Sequence, residues 1–197
     1  MHISKFAYVG LLGLILGACQ QAGRNGVVDQ AVVNPAPNFR TITRTHSPDP
    51  GKWAYQRINN RDQWQCRPLA CADNGIVTIS VTKSPTPHPD PVALDKFAKT
   101  QLPEVFEKAN ANLANLTGAT RQLKLLSTST EKIRGYYAIR TVGDLSTEKG
   151  QFKTVSAMMF VDASFVLITS TATNLSTARK NLDDFAKAME IEDHPPE

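Results

Sequence analysis

The sequence predicts an α+β fold: an antiparallel sheet with a long helix after the first strands and a C-terminal helix packed on it. Three observations carry this reading. Ile76 to Thr82 alternates strictly, with Val77, Ile79 and Val81 on one side and Thr78, Ser80 and Thr82 on the other, as a strand buried on one face requires. Leu94, Phe97, Ala98, Leu102, Val105, Phe106, Ala109, Leu113 and Leu116 then fall at helical spacing. Beyond Gly118 come four segments rich in β-branched and aromatic residues, separated by gaps of hairpin length.

Taken in order, the chain opens on Lys5, an apolar run from Phe6 to Leu16, and small residues leading to Cys19. The run is too short to span a bilayer, which needs about 20 apolar residues. The stretch Leu16-Gly17-Ala18-Cys19 resembles a lipobox. That resemblance implies a signal peptide over 1–18, cleavage before Cys19, and acylation of Cys19 with fatty chains such as palmitate. An ordinary secretory signal with a chance cysteine is the competing reading. Gln20 follows the cysteine. In lipoproteins of the enteric type this favours the outer membrane, with the domain facing the periplasm. Residues 19–51, rich in Gln, Asn, Pro, Gly and Thr, read as a tether. A flexible chain of that length spans about 30 Å root-mean-square.

Order is expected to begin near Trp53, in a domain over 52–192 followed by a polar tail, 193–197. Trp53, Tyr55 and Arg57 alternate with Ala54, Gln56 and Ile58, and Asn59-Asn60 offers a turn into a second extended piece at Trp64. Cys66 and Cys71 remain once Cys19 is assigned to lipid, and an oxidising envelope favours their pairing. A Cys-x4-Cys metal site is the alternative, but it lacks a second ligand pair and zinc takes four. Asp90-Pro91 supplies an N-cap acid with proline at the first helical position. Pro103 inside the following pattern either kinks that helix or starts a second one. Turns are read at Lys132 to Gly135, Ser146 to Gly150 and Asp162 to Ser164. Asn174 precedes the last helix, with Leu175, Ala178, Leu182, Phe185, Ala186 and Met189 on one stripe. One inward sheet face (Val77, Ile79, Val81, Ile139, Val155, Ala157, Met159, Val161, Leu167) is expected to meet Phe97, Val105, Phe106, Leu182 and Phe185.

This order of elements resembles the Mog1/PsbP-like fold, and within it the bacterial lipoprotein branch to which DcrB belongs. The residues that carry the likeness are Leu94 to Lys99 in the long helix, Glu131 to Tyr137 around a strand turn, Lys149-Gly150 before an apolar strand, and the closing helix Ala178 to Ala188. The likeness covers residues 53–192. It implies a protein-binding habit rather than a chemistry, because a fold alone does not transfer a function.

No catalytic residue is assigned. The histidines of the processed chain, His46, His88 and His194, each stand near proline in expected loops or tail, where no rigid frame positions a general base. No Gly-x-Ser-x-Gly, His-Glu-x-x-His or phosphate-binding glycine loop occurs. The pairs Asp49/Asp62 and Asp183/Asp184 read as solvated charge. No cofactor, metal or nucleic acid is expected, at a formal net charge of +4. Six basic residues lie from Arg40 to Arg67 with only two acids, a segment that suits anionic head groups, an anionic polymer or simply solvent. The function expected is a lipid-anchored, non-catalytic protein-interaction or assembly module with an envelope protein partner. The alternative is a binder of a small ligand or anionic polymer, through a sheet–helix cleft or a basic face near Arg57, Arg61 and Arg67. The candidate binding residues are Trp53, Tyr55, Arg57, Arg61, Trp64 and Arg67, with the aromatics equally readable as core.

Overall fold

The computed structural model describes residues 40–58, 61–71, 73–83, 89–117, 122–161 and 164–194. The expected fold class holds. Seven strands form one antiparallel sheet in the order β2(Trp53–Ile58), β3(Arg61–Cys66), β4(Ile76–Lys83), β8(Ser164–Ala172), β7(Gly150–Val161), β6(Tyr136–Thr147), β5(Gln122–Ile133). The second meander therefore returns to the first through its last strand, with β8 beside β4 over eight residue pairs. The strands reach further into their turns than the apolar segments alone suggest. At the β5–β6 connection Arg134 (φ 54°) and Gly135 (φ 88°) are both left-handed, as a tight two-residue hairpin demands.

Between the meanders run α1(Pro91–Lys96), one π-helical turn (Phe97–Gln101) and α2(Leu102–Thr117). Asp90 caps this helix, its carboxylate accepting from the amides of Val92 and Ala93. Pro103 does not split it. The wider turn, in which Leu102 N–H reaches Phe97 O, comes just before the proline and lets the helix continue past a residue with no N–H to give. The last helix, α3(Leu175–Ala188), begins at its Asn174 cap.

The helices lie on opposite faces, which corrects the expected single core. Trp53, Trp64, Val77, Ile79, Val155, Ala157, Met159, Val166 and Ile168 meet Ala178, Leu182 and Phe185 of α3. Ile139, Met158 and Leu167 point the other way, to Leu94, Ala98, Leu102, Val105 and Phe106. Adjacent strand residues face opposite sides, so the apolar pairs Met158–Met159 and Leu167–Ile168 feed both layers at once. Val81 lies at the end of β4 and is 43% exposed, outside either cluster.

Two further strands were not expected, one inside the stretch read as tether and one across the boundary between domain and tail. β1(Arg40–Arg44) pairs antiparallel with β9(Glu190–His194), joining the two ends of the domain. Each is five residues long and without an apolar period of its own, so only the partner defines it. Across the α3 face, Arg140 bridges Glu131 and Asp183 and ties the hairpin β5–β6 to the helix. No helix of the described residues is long and apolar enough to cross a membrane.

Candidate functional site: the β2–β3 corner

The candidate residues named from the sequence gather on one hairpin, and its pleat sorts them. Trp53, Tyr55 and Arg57 of β2 share a face. Tyr55 stands opposite Trp64, and Arg57 opposite Asp62. This face turns toward α3. Phe185 meets Trp53 edge-on (centroids 5.0 Å apart, 86°) and Trp64 at a tilt (5.1 Å, 55°). Both tryptophans are buried and belong to the core. Tyr55 packs on Trp64 at 5.4 Å but remains 57% exposed. Its hydroxyl donates to Asp62 Oδ1 (2.8 Å), while Thr45 Oγ1 donates to Asp62 Oδ2 (2.6 Å). The bond to Asp62 raises the Tyr55 phenol above its ordinary pKa, with desolvation and the carboxylate's charge acting in the same sense. The phenol therefore stays a proton donor, aimed at the acid.

At the other end of β3 the chain closes a small ring. Cys66 and Cys71 are joined by a disulfide, their Cα atoms 6.2 Å apart. Arg67 N–H donates to Lys52 O and Ala70 N–H to Arg67 O, which turns the segment sharply. Leu69 at its tip takes φ 69° and is fully exposed, at 104% of its reference area. A leucine in the left-handed region is strained by roughly 1–2 kcal/mol, and here no burial of the side chain compensates.

Asp73 fastens this loop to α3. Its Oδ1 accepts from Thr173 N (3.1 Å) and Oγ1 (2.6 Å), and its Oδ2 from Asn174 N (3.3 Å) and Nδ2 (2.8 Å). Partial burial pushes this carboxyl's pKa up. The hydrogen bonds from Thr173, Asn174 and Thr177 outweigh that, so the net shift is downward. A carboxylate also suits the positive end of a helix. Gly75, two residues on, is buried where a Cβ would stand 2.7 Å from Asn181 Nδ2 and 3.3 Å from the Trp53 ring. The corner is thus rigid, held by a disulfide, a helix cap and a close backbone approach.

The three arginines do not converge. Arg57 and Arg61 stand at one end of the hairpin on opposite faces, and Arg67 follows Cys66 at the other end, about 17–20 Å away at 3.3 Å per residue. The space between the long helix and the sheet is filled by Leu94, Leu102 and Phe106 against Ile139, Met158 and Leu167. Cys19 and His88 lie outside the described residues. His46 is exposed, 3.5 Å from Glu190 Oε1, and His194 closes β9 rather than a tail. Asp183 is paired with Arg140, and Asp184 with Lys180. Among the described residues no group of three His, Cys, Asp or Glu is placed to hold a metal. Leu69 and Asp73 were not singled out from the sequence. A leucine confined between cysteines five apart has no chain length to reach a core, and that signal was available.

No family model matches the chain, and no curated protein matches it. Among solved structures, a protein of Bacteroides thetaiotaomicron VPI-5482 is similar over 76% of this chain (12% identity, TM-score 0.46), and the match spans about half (48%) of that longer chain. Cyanobacterial PsbP from Synechocystis sp. PCC 6803 is similar over 89% of this chain and 100% of its own (10% identity, TM-score 0.44). LpqN, involved in cell envelope biogenesis of Mycobacterium tuberculosis, is similar over 77% of this chain and 84% of its own (14% identity, TM-score 0.43). At these identities each is a likeness of chain path alone.

Proposed function

We propose that this chain is a lipid-anchored envelope protein, attached through Cys19 to the outer membrane with its domain in the periplasm, which works by binding another envelope protein rather than by catalysis. One observation carries the binding half of this reading. The loop Arg67–Ala70 is closed by a disulfide and fastened by Asp73, yet it presents Leu69 wholly to solvent in a strained backbone conformation. Strain retained by a rigid surround at an exposed apolar residue favours a preorganised contact, because an already ordered loop loses little entropy on docking. The lipobox-like stretch ending at Cys19 supports the anchor.

The test has two parts. Metabolic labelling with a fatty-acid analogue marks the wild type and not Cys19→Ser, and membrane fractionation places the labelled chain. Crosslinking of intact envelopes with mass spectrometry recovers a stoichiometric protein partner whose yield falls in Leu69→Asp. A reproducible hydrolase or transferase turnover abolished by a point change in the domain, with no partner recovered, would overturn the reading.

A further inference from the structure

The seven-stranded sheet has two edges, and they are not alike. β5 carries a register shift between Leu125 and Ser127, a bulge that disrupts a free edge, and the long helix packs against it. β2 pairs with β3 in unbroken register over six residues and contains no proline. Cys66 N–H donates toward β4 (Gly75 O) and Arg67 N–H toward β2 (Lys52 O). The alternation of an antiparallel ladder then turns the backbone groups of Trp53, Tyr55 and Arg57 away from β3. Trp53 N–H is taken by Asp49 O. Among the described residues no strand lies beside Tyr55 and Arg57, and the run Ala54–Arg57 is exposed.

We propose that β2 is a self-pairing edge: two copies join antiparallel about a two-fold axis at Gln56, extending the sheet across both molecules. Register decides this. With Gln56 opposite Gln56, the outward N–H and C=O of Tyr55 meet those of Arg57 in the second copy, and the symmetric pair repeats the contact. Each Tyr55 ring then lies beside a guanidinium, a cation–π arrangement. On the other face Ala54 comes opposite Ile58. Centring the axis on Arg57 sets two guanidinium groups against each other, and centring it on Tyr55 sets Arg57 against Trp53, whose N–H is already used. Six residues a side bury less than the roughly 800 Å² per partner of a stable interface. Association in solution is accordingly weak. It rests on the reading of Cys19 as an anchor, since confinement to one membrane raises the effective concentration toward about the millimolar range.

Register-specific crosslinking of the full chain in its own membrane tests this. Gln56→Cys forms a disulfide-linked dimer under mild oxidant, because a non-hydrogen-bonded cross-strand pair holds its Cβ atoms about 5 Å apart. Ala54→Cys alone and Ile58→Cys alone do not, their symmetry mates lying about 13 Å apart at 3.3 Å per residue, whereas the two co-expressed crosslink to each other. Arg57→Pro removes an outward N–H without touching the β2–β3 ladder and lowers the Gln56→Cys dimer about tenfold, the effect of two lost hydrogen bonds. Unchanged emission from the buried Trp53 and Trp64 verifies the fold of that variant. Equal dimer at all three positions, no dimer at Gln56→Cys, or its crosslinking to a different protein overturns the proposal. Fatty-acid labelling of the same samples separates the two readings. A labelled chain without the dimer refutes the pairing alone, and an unlabelled chain refutes the anchor while the crosslink still reports on the pairing.

Discussion

Phe185→Ala tests the aromatic junction on which the β2–β3 corner rests. Phe185 is wholly buried and touches both Trp53 and Trp64, with ring centroids 5.0 and 5.1 Å away. Truncating a buried phenylalanine costs about 3–5 kcal/mol. Two aromatic contacts, each worth roughly 0.5–1.5 kcal/mol beyond area, place this site toward the upper end, about 4–5 kcal/mol. A domain whose total stability is of the ordinary 5–15 kcal/mol is then close to unfolding. Urea denaturation followed by tryptophan emission reads both effects, since the change removes the neighbour of both fluorophores. Phe106→Ala, in the layer on the opposite face of the sheet, costs about 3–4 kcal/mol and leaves the native emission unchanged. Because the two phenylalanines share no cluster, their costs add within about 0.5 kcal/mol. A Phe185→Ala loss below about 1 kcal/mol, or a Phe106→Ala that shifts tryptophan emission, would refute the two-layer packing.

Asp73→Ala is expected to lower stability by about 1–2 kcal/mol at neutral pH, because the amides and side chains of Thr173 and Asn174 lose a charged acceptor. The carboxyl's pKa is depressed in the folded state, so its stabilisation is fully present above the ordinary aspartate value and is lost as pH falls through the folded one. Wild-type urea midpoints therefore drop more steeply than those of Asp73→Ala in the acid range; parallel curves would contradict this. Leu69→Gly is expected to raise stability by about 0.5–1 kcal/mol, left-handed strain relieved less the added chain entropy, while weakening partner crosslinking. Unfolded, unreduced soluble domain should show no titratable thiol at Cys66 or Cys71. Replacing both by serine costs about 2 kcal/mol by loop entropy, with faster amide exchange confined to the neighbourhood of the loop.

The local elements were legible because local covalent geometry sets them. Alternation at Ile76–Thr82, helical spacing from Leu94, the Asp90-Pro91 start and the Asn174 cap each depend on residues within a few positions of one another. The same holds for the left-handed turn at Arg134-Gly135. Pairing across the chain was not legible. β1 and β9 join residues some 150 positions apart, and neither carries a pattern that names the other. The placement of β8 beside β4, which decides the sheet order, likewise has no local signal.

The sequence by itself therefore determined the kind and succession of the elements from β2 to α3, and favoured Cys66 and Cys71 as a pair. Tertiary structure decided on which face each buried side chain sits. Met158 and Met159 are equally apolar, and only the arrival of a helix on each side of the sheet sends one to Phe106 and the other to Phe185. It also decided which polar residue serves the corner. Nothing within a few positions of Asp73 names its partners; the start of α3, a hundred positions later, brings Thr173 and Asn174 to its carboxylate. The physical reason is common to both cases. Periodicity is fixed by the geometry of one chain segment, whereas burial and hydrogen-bond partnership depend on which distant segments can pack together without leaving polar groups unpaired.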